Sequence, residues 1–222
     1  MMNWHNIELQ HIQQALSLPY FDALQAQQRM APMARAMQRP PERRGSPRMA
    51  AVLILLFPGD EGLQFVLTRR HDYPGVHGGQ ISLPGGQREG EESFEEAALR
   101  ETFEEVGVPS RDIQLLGQIS NVYIPPSDFF VYPYVGYTPS RPVWQPDPAE
   151  VAEVLEVSLY HLFDDTLKRS GEITRNGATF PIKYYALNGH VVWGATAVML
   201  SEFEGRLRAV LSLTPKEIPI DI

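Results

Sequence analysis

The sequence predicts an α/β (α+β) fold with a helical N-terminal extension, and three observations carry that prediction. Strand-like apolar runs alternate with helical patterns along most of the chain, which favours one mixed domain. A capped, Glu-rich helix follows a Pro-Gly-Gly turn near the middle. An Arg/Pro-rich stretch separates the first ~40 residues from the rest, so the expected organisation is an extension over 1–47 and one larger domain over 48–222.

The elements follow in order. Ile7, Leu9, Ile12, Ala15 and Leu16 recur at near-helical spacing, Pro19 interrupts them, and Phe21 to Met37 resumes the pattern. Pro40 to Pro47 reads as a linker. A buried strand is expected over Met49 to Phe57 and a second over Leu63 to Arg69, joined as a hairpin through Gly59-Asp60-Glu61-Gly62. A short strand is expected at Gln80 to Leu83. Ser93 and Glu96 have capping-box spacing and Gly107 supplies a helix stop. Further strands are expected at Ile113 to Val122, Phe129 to Tyr137 and Glu150 to Val157. Phe180 to Leu187 and Val191 to Trp193 form a hairpin at Asn188-Gly189, and an amphipathic helix closes the pattern at about Ala195 to Val210.

Composition bounds the function. The chain has 222 residues, 43% of them apolar, and can fill a core. Its longest apolar run, Met49 to Phe57, spans nine residues, against about 20 for a membrane-spanning helix. The net charge of −8 disfavours nucleic acid and anionic membrane as partners. Zero cysteines exclude disulfides, thiolate metal sites and cysteine nucleophiles. The opening residues lack the basic and apolar regions of a secretory signal, so a cytoplasmic protein is expected. Six arginines between residues 29 and 48 form either a solvated linker or a phosphate-attracting arm.

The helix from Ser93 to Gly107 holds the chemistry. At about 100° per residue, Leu99, Phe103 and Val106 share an arc that can pack on a sheet, and Glu101, Glu104 and Glu105 share the opposite side. Three acids at i, i+3 and i+4 repel one another. Arg100 relieves part of this, one turn from Glu96 and Glu104, and a hard divalent cation would relieve more, because Mg²⁺ prefers carboxylate and carbonyl oxygens. A Glu-rich helix face taken alone is more often simply solvated.

The segment resembles the Nudix box, G-x5-E-x7-R-E-U-x-E-E-x-G-U with U bulky and apolar. Gly86, Glu92, Arg100, Glu101, Glu104, Glu105, Gly107 and Val108 match, and Thr102 departs at the first U. The resemblance implies a Nudix α/β/α sandwich with a mixed sheet, and hydrolysis of a nucleoside diphosphate linked to another moiety with Mg²⁺ or Mn²⁺. It also implies metal ligation by Glu101 and Glu105 with Glu104 and the Gly85 carbonyl, orientation of the glutamates by Arg100, and bracing of the loop by Glu92.

The upstream run is similar to the signature of the coenzyme A pyrophosphatase branch, LLTxRSxxLxxHxGQIxFPGG. Thr68, Arg70, His77, Gly79, Gln80, Ile81, Pro84, Gly85 and Gly86 match, while His71, Pro74 and Leu83 depart. Glu150 to Val157 and Val192 to Ala197 are also similar to that branch, so the likeness covers roughly residues 48 to 210. It implies a small-molecule substrate, coenzyme A or a related nucleoside diphosphate derivative, and, since Nudix relatives are often dimers, a homodimer.

Arg69, Arg70, His77 and Gln80 are the candidate substrate-binding residues, because CoA carries a pyrophosphate and a 3′-phosphate that call for donors and positive charge. Strand alternation puts Arg69 and Arg70 on opposite faces. Arg70 either meets the substrate or ties the acidic helix down, and His77 either meets the substrate or caps the glycine loop. The aromatic run Phe129, Phe130, Tyr132, Tyr134, Tyr137 favours a core strand over base stacking. Glu104 is the first candidate for general base, with Glu150 and Glu153 as alternatives. Competing functions are a Nudix enzyme for ADP-ribose, NADH or dinucleoside polyphosphates, and a catalytically silent binding module.

Overall fold

The computed structural model describes residues 7–31, 45–60, 62–72, 78–175 and 178–212. Near-continuous apolarity makes the first strand the centre of the sheet. β1 (Arg48–Gly59) pairs antiparallel with β2 (Gly62–Arg70), with Leu56 opposite Phe65 and Gly59 opposite Gly62, which is the expected hairpin. β3 (Ile81–Ser82) pairs with β2, and β4 (Gly85–Gln87), at the Pro-Gly-Gly turn, pairs with β1 as a further short strand. β5 (Gln114–Gln118) and β6 (Val122–Ile124) stand where one strand was expected. The interruption has a cause: the Ser120 amide leaves the ladder to donate to a Glu202 carboxylate oxygen at 3.0 Å.

β7 (Phe129–Tyr137) runs parallel to β1, with Arg48 opposite Phe129, and β8 (Val151–Ser158) lies antiparallel on β2. Among the described residues this is a mixed eight-stranded sheet with the central order β3-β2-β1-β7-β5. A second sheet orders β11-β10-β9, from β9 (Lys168–Arg175), β10 (Ala178–Leu187) and β11 (His190–Trp193). β9 was not expected. Its sequence, KRSGEITR, shows little apolar alternation; among the described residues it is an outer strand and pairs with β10 alone.

β1 is buried on both sides, as a central strand with a parallel neighbour should be. Ala51, Leu53, Leu55 and Phe57 pack with Ala97, Ala98 and Val106 of α3 (Phe94–Val106). Ile54 and Leu56 pack on the other side with Leu200, Phe203 and Leu207 of α4 (Gly194–Val210). The result is helix, sheet, helix in three layers.

The N-terminal pattern breaks earlier than its periodicity suggests. α1 (Leu9–Leu16) buries Ile12 and Ala15, and α2 (Ala23–Gln28), capped by Asp22 on the Gln25 amide, ends well before Met37. The remainder of that expected helix, from residue 32, lies outside the described residues. Both helices lie on α4. Ser201 Oγ donates to the Ala26 carbonyl at 2.7 Å, and a Cβ on Gly205 would stand 3.1 Å from both Ala26 Cβ and the Phe21 ring.

This corrects the expectation of an amphipathic last helix. Glu202 and Glu204 of α4 are wholly buried. They are tolerated because each is paired: Glu202 accepts from Gln27, Arg206 and the Ser120 amide, and Glu204 from Lys168, Arg208 and the Tyr185 hydroxyl.

Candidate active site

α3 begins as its sequence dictates. Ser93 Oγ accepts from the Glu96 amide at 3.1 Å and Glu96 accepts from the Ser93 amide at 2.7 Å, completing the capping box. These bonds hold the Glu96 carboxyl below its ordinary range. Gly107 ends the helix at φ +77°, and a Cβ there would stand 2.6 Å from Gln145 Cβ.

The packed face of α3 differs from the one the apolar residues suggested. Ala97, Ala98, Thr102, Glu105 and Val106 are the buried positions, Leu99 is half-buried, and Phe103 is 54% exposed. Small residues win because the helix lies close to the sheet. Thr102, the odd residue in the box, fits this face by donating its hydroxyl to the Ala98 carbonyl at 2.7 Å. The acids therefore do not share a solvated side: Glu105 points inward, Glu101 sits at the edge and Glu104 is outside.

Gly86 explains how Glu101 reaches the sheet. A Cβ on Gly86 would stand 2.4 Å from the Glu101 carboxylate, so only glycine leaves the space that this carboxylate fills. Gly85, at φ +150°, is pressed as closely on the β1 backbone, 2.4 Å from the Ala51 carbonyl by the same measure. Its main chain hydrogen-bonds Glu105.

Arg100 is engaged on every side. Its Nε and Nη2 donate to Glu92 at 3.0 and 2.8 Å, its Nη1 to Glu101 and Glu104 at 2.9 and 2.8 Å, and its Nη2 to the Gln87 carbonyl at 3.1 Å. The bidentate fork lowers the Glu92 pKa and raises that of Arg100 further. Glu92 in turn accepts from the Glu89 amide at 2.7 Å, so one guanidinium joins the loop to the helix. Glu96, expected as an Arg100 neighbour, is used by the cap instead.

Glu105 is 3% exposed, and burial raises its pKa to about 7. Arg70 opposes the shift, with Nη2 at 3.3 Å from Oε1, while Glu101 and Glu150 add to it. Thr68 Oγ1 stands 3.5 Å from Glu105 Oε2 and 3.2 Å from Ser82 Oγ. The Glu101 carboxyl is also raised, first by burial, with Glu104 and Glu150 contributing and Arg100 opposing.

Arg69 and Arg70 point to opposite faces of β2, at a bulge where the pairing with β8 skips a residue. Arg69 pairs with Glu153 at 3.2 Å and Asp72 at 3.7 Å, away from Glu105. Gln80 sits beside Arg70, its carbonyl accepting the Arg70 amide at 3.0 Å. His77 lies outside the described residues. Of the two acids after the box, Glu150 acts on Glu101 and Glu105, whereas Glu153 is taken up by Arg69 and stands 3.5 Å from His190. Tyr132 stacks on Phe94 at 3.6 Å between centroids, so that ring is packed against α3. Among the described residues no three acidic or histidine side chains converge on one point in ligating geometry; Arg70 holds Glu105, while Arg100 holds Glu101 and Glu104.

Thr68, matched only as a motif position, and Ser82 join the site through contacts that sequence spacing does not show. Strand alternation does place Thr68: it is two residues from Arg70 and so shares its strand face.

The available donors are carboxylate and backbone oxygens, the set a hard divalent cation takes. Carboxylate and backbone oxygens beside a glycine-backed turn, on a helix laid across a mixed sheet, suit a metal-assisted hydrolase. The model of the NUDIX domain family matches residues 47–176, and the chain belongs to the Nudix family as a pyrophosphohydrolase enzyme. Members of this family generally use divalent metal ions.

An "Uncharacterized Nudix hydrolase NudL" of Photorhabdus laumondii is 30% identical over 164 residues, covering 73% of this chain and 87% of that protein. Another of the same name, from Yersinia enterocolitica, is 33% identical over 152 residues, covering 68% and 77%. A Nudix hydrolase from M. smegmatis, RenU, shares the fold at a TM-score of 0.52 and 20% identity, covering 82% of this chain and 96% of that one. Among the described residues no helix is long and apolar enough to cross a membrane.

Proposed function

We propose that this enzyme hydrolyses the pyrophosphate bond of coenzyme A or acyl-CoA, giving adenosine 3′,5′-bisphosphate and (acyl-)4′-phosphopantetheine. The observation that carries the reading is the upstream motif together with its position: Thr68, Arg70 and Gln80 gather where β2 and β3 meet Glu105.

Glu101 and Glu105, with Glu104 and the Gly85 carbonyl, would hold Mg²⁺ or Mn²⁺. That ion would polarise the P–O bond, offset the anhydride's charge and lower the pKa of a bound water. Arg100 fixes the direction of Glu101 and Glu104, and Glu92 fixes Arg100. Gly86 leaves room for the Glu101 carboxylate. Glu104, half-exposed on α3, is the first candidate to accept a proton from the attacking water, and Glu150 is the second because it faces the same carboxylates. Arg70, His77 and Gln80 are the residues we assign to the substrate phosphates; Arg69, also expected there, lies on the opposite face of β2 and is taken up by Glu153 and Asp72.

We place the enzyme's domain at 48–222, with 1–47 as an extension, in a cytoplasmic setting and as a homodimer by analogy with Nudix relatives. The test is incubation with CoA and Mg²⁺ and identification of products by mass. Formation of adenosine 3′,5′-bisphosphate and 4′-phosphopantetheine is expected. Cleavage of ADP-ribose, NADH or a dinucleoside polyphosphate with CoA untouched would reject the CoA assignment and leave the chemistry standing.

A further inference from the structure

The two arginines that touch the acidic cluster are held very differently. Arg100 donates to three carboxylates and a carbonyl and braces the loop, so it has no donor to spare without undoing the turn. Arg70 makes a single ion pair to the cluster, at 3.3 Å, and its side chain is 28% exposed at the end of β2. The carboxylate it meets is the most deeply buried of the group, with Glu101 and Glu150 adding negative charge around it.

We propose that Arg70 is a stand-in cation: it neutralises Glu105 in the metal-free enzyme, is released when a divalent ion takes that carboxylate, and turns its freed guanidinium to the phosphate oxygens of the substrate. The inference rests on the metal-dependent phosphoanhydride chemistry above. A divalent ion on Glu105 repels the adjacent guanidinium and weakens the one ion pair that holds Arg70 to the cluster, whereas Arg100 keeps its Glu92 and Gln87 partners. A planar fork at the mouth of the site suits a phosphate once the carboxylate is gone. The Thr68 hydroxyl, 3.5 Å from Oε2, and the Gly85 main chain remain beside Glu105 when Arg70 departs. Metal and substrate binding are thereby coupled through one residue.

The test compares the parent enzyme with Arg70→Ala and Arg70→Lys. The Mn²⁺ dissociation constant is read at pH 8.5 without substrate, by the spin-resonance signal of free Mn²⁺. KM and kcat are then read at saturating Mn²⁺. Arg70→Ala should bind Mn²⁺ at least about threefold more tightly, because the competitor is gone. It should raise KM about tenfold with kcat changed by less than about threefold. Arg70→Lys should fall between on both measures, and carries the test if the alanine variant does not fold.

Unchanged or weaker Mn²⁺ binding would overturn the proposal, because Arg70 would then be only a brace. Tighter Mn²⁺ with KM unmoved would overturn it too, since the freed arginine would have gone nowhere. The Mn²⁺ arm needs no substrate. Failure of the CoA reading shows separately, as a parent enzyme that binds Mn²⁺ and leaves CoA intact, and KM is then read on the nucleoside diphosphate derivative it does cleave.

Discussion

Replacing Glu105 with Gln should stabilise the metal-free protein at alkaline pH while ending its catalysis. The Glu105 carboxyl, ordinarily titrating near 4.5, is raised to about 7 by burial. Between those values the folded protein holds a proton that the unfolded chain has released, so stability falls as pH climbs through the window. Once Glu105 is ionised in both states, the cost of keeping its charge inside is about 3 kcal/mol, from about 1.4 kcal/mol for each pKa unit. Gln has the same shape, carries no charge, and its oxygen can still accept from Arg70 and the Gly85 main chain.

The gain over the parent should therefore be about 1–3 kcal/mol at pH 8 and under about 1 kcal/mol at pH 5. For a chain of this size each kcal/mol moves Tm by about 2–4 °C. The assay is thermal unfolding with a chelator at both pH values. An equal effect at pH 5 and pH 8, or a loss of stability at pH 8, would refute the argument that this carboxylate is strained by burial. Added Mn²⁺ should raise Tm in the parent and do so far less in the variant.

Other outcomes follow from the same geometry. Glu101→Gln should cut turnover by at least about 10² with an unchanged circular dichroism spectrum, and near-parental kcat would count against its metal role. Gly86→Ala should lower kcat comparably, because its methyl group would occupy the place of the Glu101 carboxylate, 2.4 Å from the added Cβ; a normal kcat there would show that Glu101 is free to move. Gly205→Leu should lower Tm by pushing α2 off α4, at a cost of about 1–3 kcal/mol, while kcat stays near the parental value. Full stability in that variant would mean the N-terminal helices do not hold this position in solution.

Much of the architecture was legible because local chemistry and tertiary structure agree. The β1–β2 hairpin, the capping box and the Asn188-Gly189 turn each have their own short-range cause. What was misread was decided at a distance. Phe103 looked like a core residue by period, yet the closeness of α3 to the sheet selects alanines and a threonine. Glu202 and Glu204 gave α4 the look of an amphipathic helix, because nothing local says that α1 and α2 will cover its outer side. β9 carried no strand pattern, since its pairing with β10 alone makes it one.

By itself the sequence determined the spacing of Gly86, Glu92, Arg100, Glu101, Glu104 and Glu105, and with it the family and the reaction class, because these positions are fixed relative to one another by a helix of known pitch. Only the tertiary structure decided that Glu105 is buried and Glu104 is not, that Arg70 rather than Arg69 meets the acids, and that Glu150 rather than Glu153 stands near them. Burial and charge pairing depend on which strands lie beside the helix, and neighbours in space are set by packing rather than by order along the chain.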